Sequence, residues 1–234
     1  MIEAIVLAGG FGTRLKSVIA EIPKPMAIIN DRPFLEYQLA YLKKYGFQKI
    51  IFSVGYKHEI ISNYFGNNFN GLAIEYAIEN QALGTGGGIR LALQKATSEY
   101  VLVVNGDTLF DVDLHDFYSK HILSNSNFSI CLRNIEDVSR YGSVEIFPDF
   151  RIKSFQEKGI KAGFGTINGG TYIIKNHFFD SFQLPEVFSL EKDCLEKYVE
   201  DQFFYGFPYS NYFLDIGIPE DYQKAQDEFK QIGY

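Results

Sequence analysis

Ile5-Val6-Leu7-Ala8-Gly9-Gly10-Phe11-Gly12-Thr13-Arg14-Leu15 joins an uninterrupted apolar run to a glycine-rich loop. Such a run, too short for a helix and without alternating polar residues, reads as a strand buried on both faces. The next periodic segment, Phe34 to Tyr45, carries Leu35, Leu39 and Leu42 at helical spacing, which completes a βα unit. The rhythm then repeats. Ile50–Val54 reads as a strand, Lys57–Phe65 as a helix, Ala73–Ile78 as a strand, Thr85–Ala96 as a helix capped by Thr85, and Tyr100–Val104 as a strand ending in Asn105-Gly106-Asp107. Strands alternating with helices predict an α/β, Rossmann-like, three-layer αβα fold around a mostly parallel mixed sheet. In such sheets the ligand site lies beyond the carboxyl ends of the strands, where both Gly9-Gly10 and Asp107 fall.

After about residue 125 the pattern becomes strand-rich: Phe128–Leu132, Gly142–Phe147, Ile152–Gln156 and Thr166–Ile174, followed by helices near 189–199 and 219–231. No repeat, low-complexity stretch or long linker separates the two parts, so a single domain over 1–234 is expected, with halves at 1–124 and 125–234.

Composition narrows the partners. The 234 residues are 46% hydrophobic and carry a net charge of -7 without a long basic cluster, so neither nucleic acid nor an anionic membrane surface is expected. The N-terminus leads directly into Ile2–Ala8 with no basic leader, and no apolar run reaches the length of a membrane span. With only Cys131 and Cys194, and no paired metal spacing, a reducing cytoplasm is the expected compartment.

Gly9, Gly10 and Gly12 offer backbone N–H groups with little side chain in the way, as phosphate oxygens require. A dinucleotide fingerprint would need a small residue where Leu15 stands, and Gly-Lys-Ser/Thr of a Walker A loop occurs nowhere. Arg14 and Lys24, the latter stiffened between Pro23 and Pro25, add positive charge suited to a triphosphate.

On these residues the chain resembles the sugar nucleotidylyltransferase family, whose Leu-Ala-Gly-Gly-X-Gly-Thr-Arg-Leu followed by Lys-Pro is matched here. The likeness continues through Leu83-Gly84-Thr85-Gly86-Gly87, Asn105-Gly106-Asp107, Tyr141-Gly142, Phe155-Gln156-Glu157-Lys158, Asn168-Gly169-Gly170-Thr171-Tyr172 and Asp215-Ile216-Gly217. The resemblance implies that a nucleoside triphosphate is held by Leu7, Ala8, Gly9, Gly10, Gly12, Thr13, Gly84, Thr85 and Gly106. It implies a sugar phosphate held by Tyr141, Gly142, Glu157, Lys158, Asn168 and Gly169. Asp107, at a strand end after a glycine, suits Mg²⁺, which prefers one or two carboxylates plus phosphates and water; Asp215 is its implied partner. Arg14, Lys24 and Lys158 are the implied catalytic cations. The chemistry is in-line attack of the sugar phosphate on the α-phosphorus, with pyrophosphate leaving and no general base needed. The family's thymidylyl and uridylyl members usually follow Glu-Lys with proline, whereas Gly159 stands here. A homodimer is expected because relatives commonly self-associate.

Glu79 falls where those members usually carry glutamine. A carboxylate can accept from N1–H and the N2 amine of guanine together, whereas uracil and thymine flank one donor with two acceptors. GTP is therefore the expected nucleotide. Leu83-Gly84-Thr85-Gly86 and Asn105-Gly106-Asp107-Thr108 resemble the guanylyl branch, in particular the D-glycero-α-D-manno-heptose 1-phosphate guanylyltransferases, with mannose 1-phosphate as competing substrate. No hexapeptide-repeat extension follows before Tyr234.

Two other classes compete: a non-catalytic nucleotide-sugar sensor, and a glycosyltransferase using Asp-X-Asp. Arg14, Lys24, Asp107, Lys158 and Asp215 argue against the first. Asp111-Val112-Asp113 is the sole match to the second and is expected to start a helix. His58, His115, His121 and His177 lack ligand spacing and are expected to pack or face solvent, and the two cysteines to act as buried small hydrophobes.

Overall fold

The structure, a computed structural model, describes residues 3–10, 22–139, 141–156, 163–201 and 203–232. The chain opens with β1 (Glu3–Leu7), passes a single helical turn at Lys24–Met26, and forms a small hairpin of β2 (Ile28–Ile29) and β3 (Arg32–Pro33). Then come α1 (Phe34–Lys44), β4 (Lys49–Val54), α2 (His58–Phe65), β5 (Asn68–Phe69), β6 (Leu72–Ile78), α3 (Gly84–Leu93), β7 (Tyr100–Asn105), β8 (Thr108–Phe110) and α4 (Leu114–Leu123). The second half supplies β9 (Phe128–Ile135), β10 (Ser143–Ile146), β11 (Ile152–Gln156), β12 (Gly165–Lys175), β13 (Tyr205–Tyr209), β14 (Phe213–Asp215) and α5 (Pro219–Glu228).

The α/β fold is the one expected. Among the described residues a ten-stranded sheet runs in the order β11-β10-β12-β7-β1-β4-β6-β5, with β9 on β12 and β13 on β9. Its centre, β6-β4-β1-β7, is parallel, and β12 lies antiparallel on β7, so strands of the second half extend the sheet of the first. The alternation of the central strands places one set of side chains in each of two cores. Ala4, Val6, Ile50, Phe52, Leu102 and Val104 pack under α1, α2, α4 and α5, while Ile5, Ile51, Val101 and Val103 pack with Ile89, Ala92 and Leu93 of α3.

Two local details differ from the sequence expectation. Thr85 does not cap α3; Leu83 stands at the cap position without a side-chain bond, and the Thr85 hydroxyl instead accepts from Leu190 N–H at 3.1 Å. The helix also ends at Leu93, three residues before Ala96. Asp113 caps α4 by accepting from His115 and Asp116 N–H, so the Asp-X-Asp stretch serves a helix terminus. His121 is buried against Ser129 Oγ at 2.8 Å, and burial lowers its pKa to about 4, so it packs as a neutral ring. Cys131 and Cys194 are buried, and burial raises both thiol pKa values. No helix among the described residues is long and apolar enough to cross a membrane.

Glu3, 1% exposed, ties the start of β1 to the turn before β7. Burial alone would raise its pKa, but bonds from Ser98 and Thr97 and the Lys49 ammonium at 3.2 Å outweigh it and hold it at about 2, against 4.5 for the ordinary group. A depressed folded pKa contributes stability that is complete above the unfolded value and is lost as pH falls through the folded one. Wild type is therefore expected to lose about 3 kcal/mol more than a Glu3→Gln variant between pH 5 and pH 2, read by denaturant unfolding at each pH.

Candidate active site

The parallel strands end at one edge, and the loops leaving them carry the predicted residues. β1 stops at Leu7; Ala8 N–H still donates to Ser53 O at 2.8 Å, and Gly9 and Gly10 then line a cavity of about 420 Å³ with Lys24, Ser53, Glu79, Gly84, Thr85 and Asp107. Gly12, Thr13 and Arg14 lie outside the described residues. Gly9 lies close to Glu79, whose Oε1 would be 3.0 Å from a Cβ there, so a side chain at this position would have to push the carboxylate aside.

The loop carrying Asp107 is fixed from three sides. Gly106 N–H donates to Leu7 O at 2.8 Å, and a Cβ at this position would lie 2.5 Å from that oxygen. The buried Gln38 amide of α1 donates to Asn105 O and to Thr108 O, at 2.5 and 2.6 Å. β14 pairs antiparallel with β8, setting Asp215 opposite Thr108, and Ile216 N–H donates to Asp107 O at 3.0 Å. That pairing carries Asp215 across the fold to Asp107.

Both carboxylates face one ammonium. Lys24 Nζ lies 2.6 Å from Asp107 Oδ2 and 3.3 Å from Asp215 Oδ1, and its side chain is only 8% exposed. The sequence reading placed Lys24 near the glycine loop as a phosphate partner; it does line that cavity, but its charge is committed to the two aspartates. Two carboxylates drawn to one ammonium make hard oxygen ligands converge at one point, which fits a divalent ion completed by phosphates and water. Among the described residues no group of three or more acidic, histidine or cysteine side chains is arranged to hold a metal by itself.

A second cavity, of about 490 Å³, adjoins the first through Thr85 and Asn105, which line both. It contains Tyr141, Gly142, Asn168 and Gly169 of the predicted sugar-phosphate residues, together with Asp215, the predicted metal ligand. Asn168 Oδ1 accepts from Gly170 N–H at 2.8 Å, and its amide donates to Tyr172 OH at 2.8 Å. Glu157 and Lys158 lie outside the described residues, although Phe155 and Gln156 just before them reach the wall. Asn105 was quoted in the sequence motif without a role. Its place in both cavities comes from the end of β7, where Gly170, at φ +70°, lets β12 pass close by; a Cβ at position 170 would lie 2.6 Å from the Asn105 amide nitrogen.

Glu79 sits on the floor of the first cavity. Its Oε2 accepts from Leu83 N–H at 2.9 Å and its Oε1 from Ser53 Oγ at 3.3 Å. Two carboxylate oxygens offer about four acceptor positions, so acceptor capacity remains for a ligand.

The glycines after Leu83 serve packing. Gly86 and Gly87 N–H both donate to Phe188 O, at 3.1 and 3.3 Å, and a Cβ on Gly86 would lie 2.1 Å from the Phe188 ring. That ring is buried beneath the Arg90 guanidinium, 4.9 Å from its centroid, and has little room to yield. Gly86→Ala is expected to destabilise the fold by about 2 kcal/mol through overpacking, lowering Tm by about 4–8 °C in a thermal melt.

Comparison with known proteins bears on the family and the fold. A sequence model of the family described as Nucleotidyl transferase matches residues 3–232. The chain is 49% identical over 228 residues, covering 97% of itself and 98% of the relative, to D-glycero-alpha-D-manno-heptose 1-phosphate guanylyltransferase of Aneurinibacillus thermoaerophilus. It is 31% identical to mannose-1-phosphate guanylyltransferase of Mycobacterium tuberculosis, covering 96% of itself and 63% of that protein. Among solved structures, HddC from Yersinia pseudotuberculosis complexed with GMP-PN superposes with a TM-score of 0.86 at 41% identity, over 98% of this chain and 100% of that one. Two carboxylates drawn to one point between adjoining cavities, in a fold that aligns over 98% of the chain, are thus accompanied by sequence likeness from end to end, and the chain belongs to the nucleotidyl transferase family.

Proposed function

We propose that this protein transfers a guanylyl group from GTP to a mannose-like sugar 1-phosphate, foremost D-glycero-α-D-manno-heptose 1-phosphate, giving a GDP-sugar and pyrophosphate. The observation that carries the reading is the convergence of Asp107, which lines the first cavity, and Asp215, which lines the second, at their junction. The relatives named for heptose 1-phosphate guanylyl transfer cover the chain almost completely, at higher identity than the mannose-1-phosphate enzyme.

In this reading GTP occupies the cavity of Gly9, Gly10, Glu79 and Thr85, with Leu7, Ala8, Gly12, Thr13, Gly84 and Gly106 as its further ligands, and Glu79 accepts from the guanine edge. The sugar phosphate lies against Tyr141, Gly142, Asn168 and Gly169, with Glu157 and Lys158 as further ligands. A phosphate oxygen is already ionised at neutral pH, so the residues have to align it with the α-phosphorus and offset charge rather than remove a proton. Asp107 and Asp215 would hold Mg²⁺. When bound, that ion supplies charge neutralisation at the reacting phosphates. Lys24, beside the carboxylates, and Arg14 offset the charge that grows on the departing pyrophosphate. The first half carries the nucleotide and the second the sugar, in a cytoplasmic enzyme that pairs as a homodimer.

The test is pyrophosphate release with Mg²⁺ for GTP, ATP, CTP, UTP and dTTP against D-glycero-α-D-manno-heptose 1-phosphate and mannose 1-phosphate. Selective turnover of GTP with the heptose is expected. Faster mannose turnover moves the substrate, a pyrimidine preference removes the Glu79 argument, and nucleotide binding without any release favours the sensor.

A further inference from the structure

One wall of the second cavity is formed by Ser189, Glu191, Lys192 and Glu196, from a widened helical segment at Leu190–Glu196. The i→i+5 spacing of this segment is uncommon and recurs at functional sites. Its start is held by Ser189, whose Oγ accepts from Lys192 N–H and whose own N–H donates to Asp193 Oδ2 at 2.7 Å. It is fastened to the nucleotide side by Leu190 N–H on Thr85 Oγ1 and by Phe188 O on the glycines of α3. The wall of one cavity is therefore fixed on a helix that lines the other.

Glu191 stands at the centre of this seam. Its Oε2 is 3.3 Å from the Thr85 hydroxyl and 3.2 Å from the Ser189 hydroxyl, and its Oε1 is 3.5 Å from the Asn168 amide. These contacts are long and all three partners are neutral, so among the described residues the carboxylate is oriented without being paired to a cation. It is half-buried in a cavity that must take a polyol bearing a phosphate. A carboxylate there attracts hydroxyl donors and repels phosphate, so it sorts the two ends of such a ligand. Its charge and that of Asp107 both act on the buried Tyr172 hydroxyl, which receives the Asn168 amide.

We propose that Glu191 is a sugar-binding residue, accepting hydrogen bonds from hydroxyls of the sugar 1-phosphate while its charge turns the C1 phosphate towards Asp107 and Asp215. This rests on the guanylyl-transfer reading and adds to it the group that orients the sugar. The experiment compares wild type, Glu191→Gln and Glu191→Ala by steady-state kinetics and by calorimetric titration with D-glycero-α-D-manno-heptose 1-phosphate and with mannose 1-phosphate. Glu191→Ala is expected to raise KM and the dissociation constant for the sugar phosphate about ten- to hundredfold, the loss of one charge-assisted bond, with KM for GTP changed less than twofold. Glu191→Gln, which keeps one acceptor and the shape, is expected to fall between, and it serves if the alanine variant unfolds. Unchanged sugar affinity in both variants, or a parallel rise for GTP, overturns the proposal. If wild type binds the sugar phosphate but never turns over, guanylyl transfer fails while the titrations still decide Glu191; if it binds neither sugar, both fail.

Discussion

Asp107→Asn is expected to leave a folded protein whose kcat/KM for nucleotidyl transfer is about 10³-fold lower, close to 4 kcal/mol of transition-state stabilisation. Asparagine fills the same space after Gly106 and leaves the backbone clamp intact, because Gln38 bonds the carbonyls of Asn105 and Thr108 and Ile216 bonds the carbonyl of residue 107. What changes is charge. Lys24 would be left with Asp215 at 3.3 Å, and the convergent pair would present one anionic group in place of two. The effect should therefore fall on kcat, and it should be accompanied by a higher Mg²⁺ requirement in the pyrophosphate-release assay. A variant that melts many degrees below wild type would make the loss one of folding, and a variant with near-normal kcat would remove Asp107 from the site.

Glu79→Gln is expected to collapse base selection, lowering kcat/KM for GTP by about 10²-fold while that for UTP or dTTP rises. The amide retains an oxygen for Leu83 N–H, so the loop before α3 keeps its bond. Towards the ligand, however, one acceptor becomes a donor. That donor opposes the second N–H of guanine, whereas it complements the alternating donor and acceptor edge of uracil. The ratio of kcat/KM values for GTP and UTP isolates this change from any general damage. A variant that stays strictly guanine-selective would mean that Glu79 supports Leu83 and Ser53 without touching the base.

Much of the sheet was legible because it obeys a period of two under a continuous apolar run: Ala4-Ile5-Val6 and Val101–Val104 send alternate side chains into opposite cores. The site was legible where chemistry and position coincide. Asp107 follows a strand and a glycine, and Glu79 ends the strand that leads to Gly84. Glu191 was not legible, because between Leu190 and Lys192 it has the pattern of an ordinary solvated helix face, and only packing against Thr85 and Asn168 brings it to the cavity. The commitment of Lys24 was missed for a similar reason: Asp215 arrives through the pairing of β14 with β8, a contact with no local signature. Thr85 was read as a cap from its type and place, but tertiary packing used its hydroxyl for Leu190 instead.

If Asp215 acts as proposed, the same β14–β8 pairing makes activity hostage to α5. Asp215 sits on a strand of three residues, and α5 behind it is laced to the hairpin that follows Lys24 by Tyr222 OH and Gln226 Nε2 on Ile28 O, both at 2.7 Å, with Phe229 packed on Phe34 and Tyr37. Fraying of that last helix would slacken Asp215 and Lys24 together while the parallel strands stayed paired. Local opening there costs less free energy than global unfolding. Inactivation on heating should thus precede the loss of secondary structure, and proteolytic nicking near the end of α5 should silence the enzyme in a protein that still looks folded by circular dichroism.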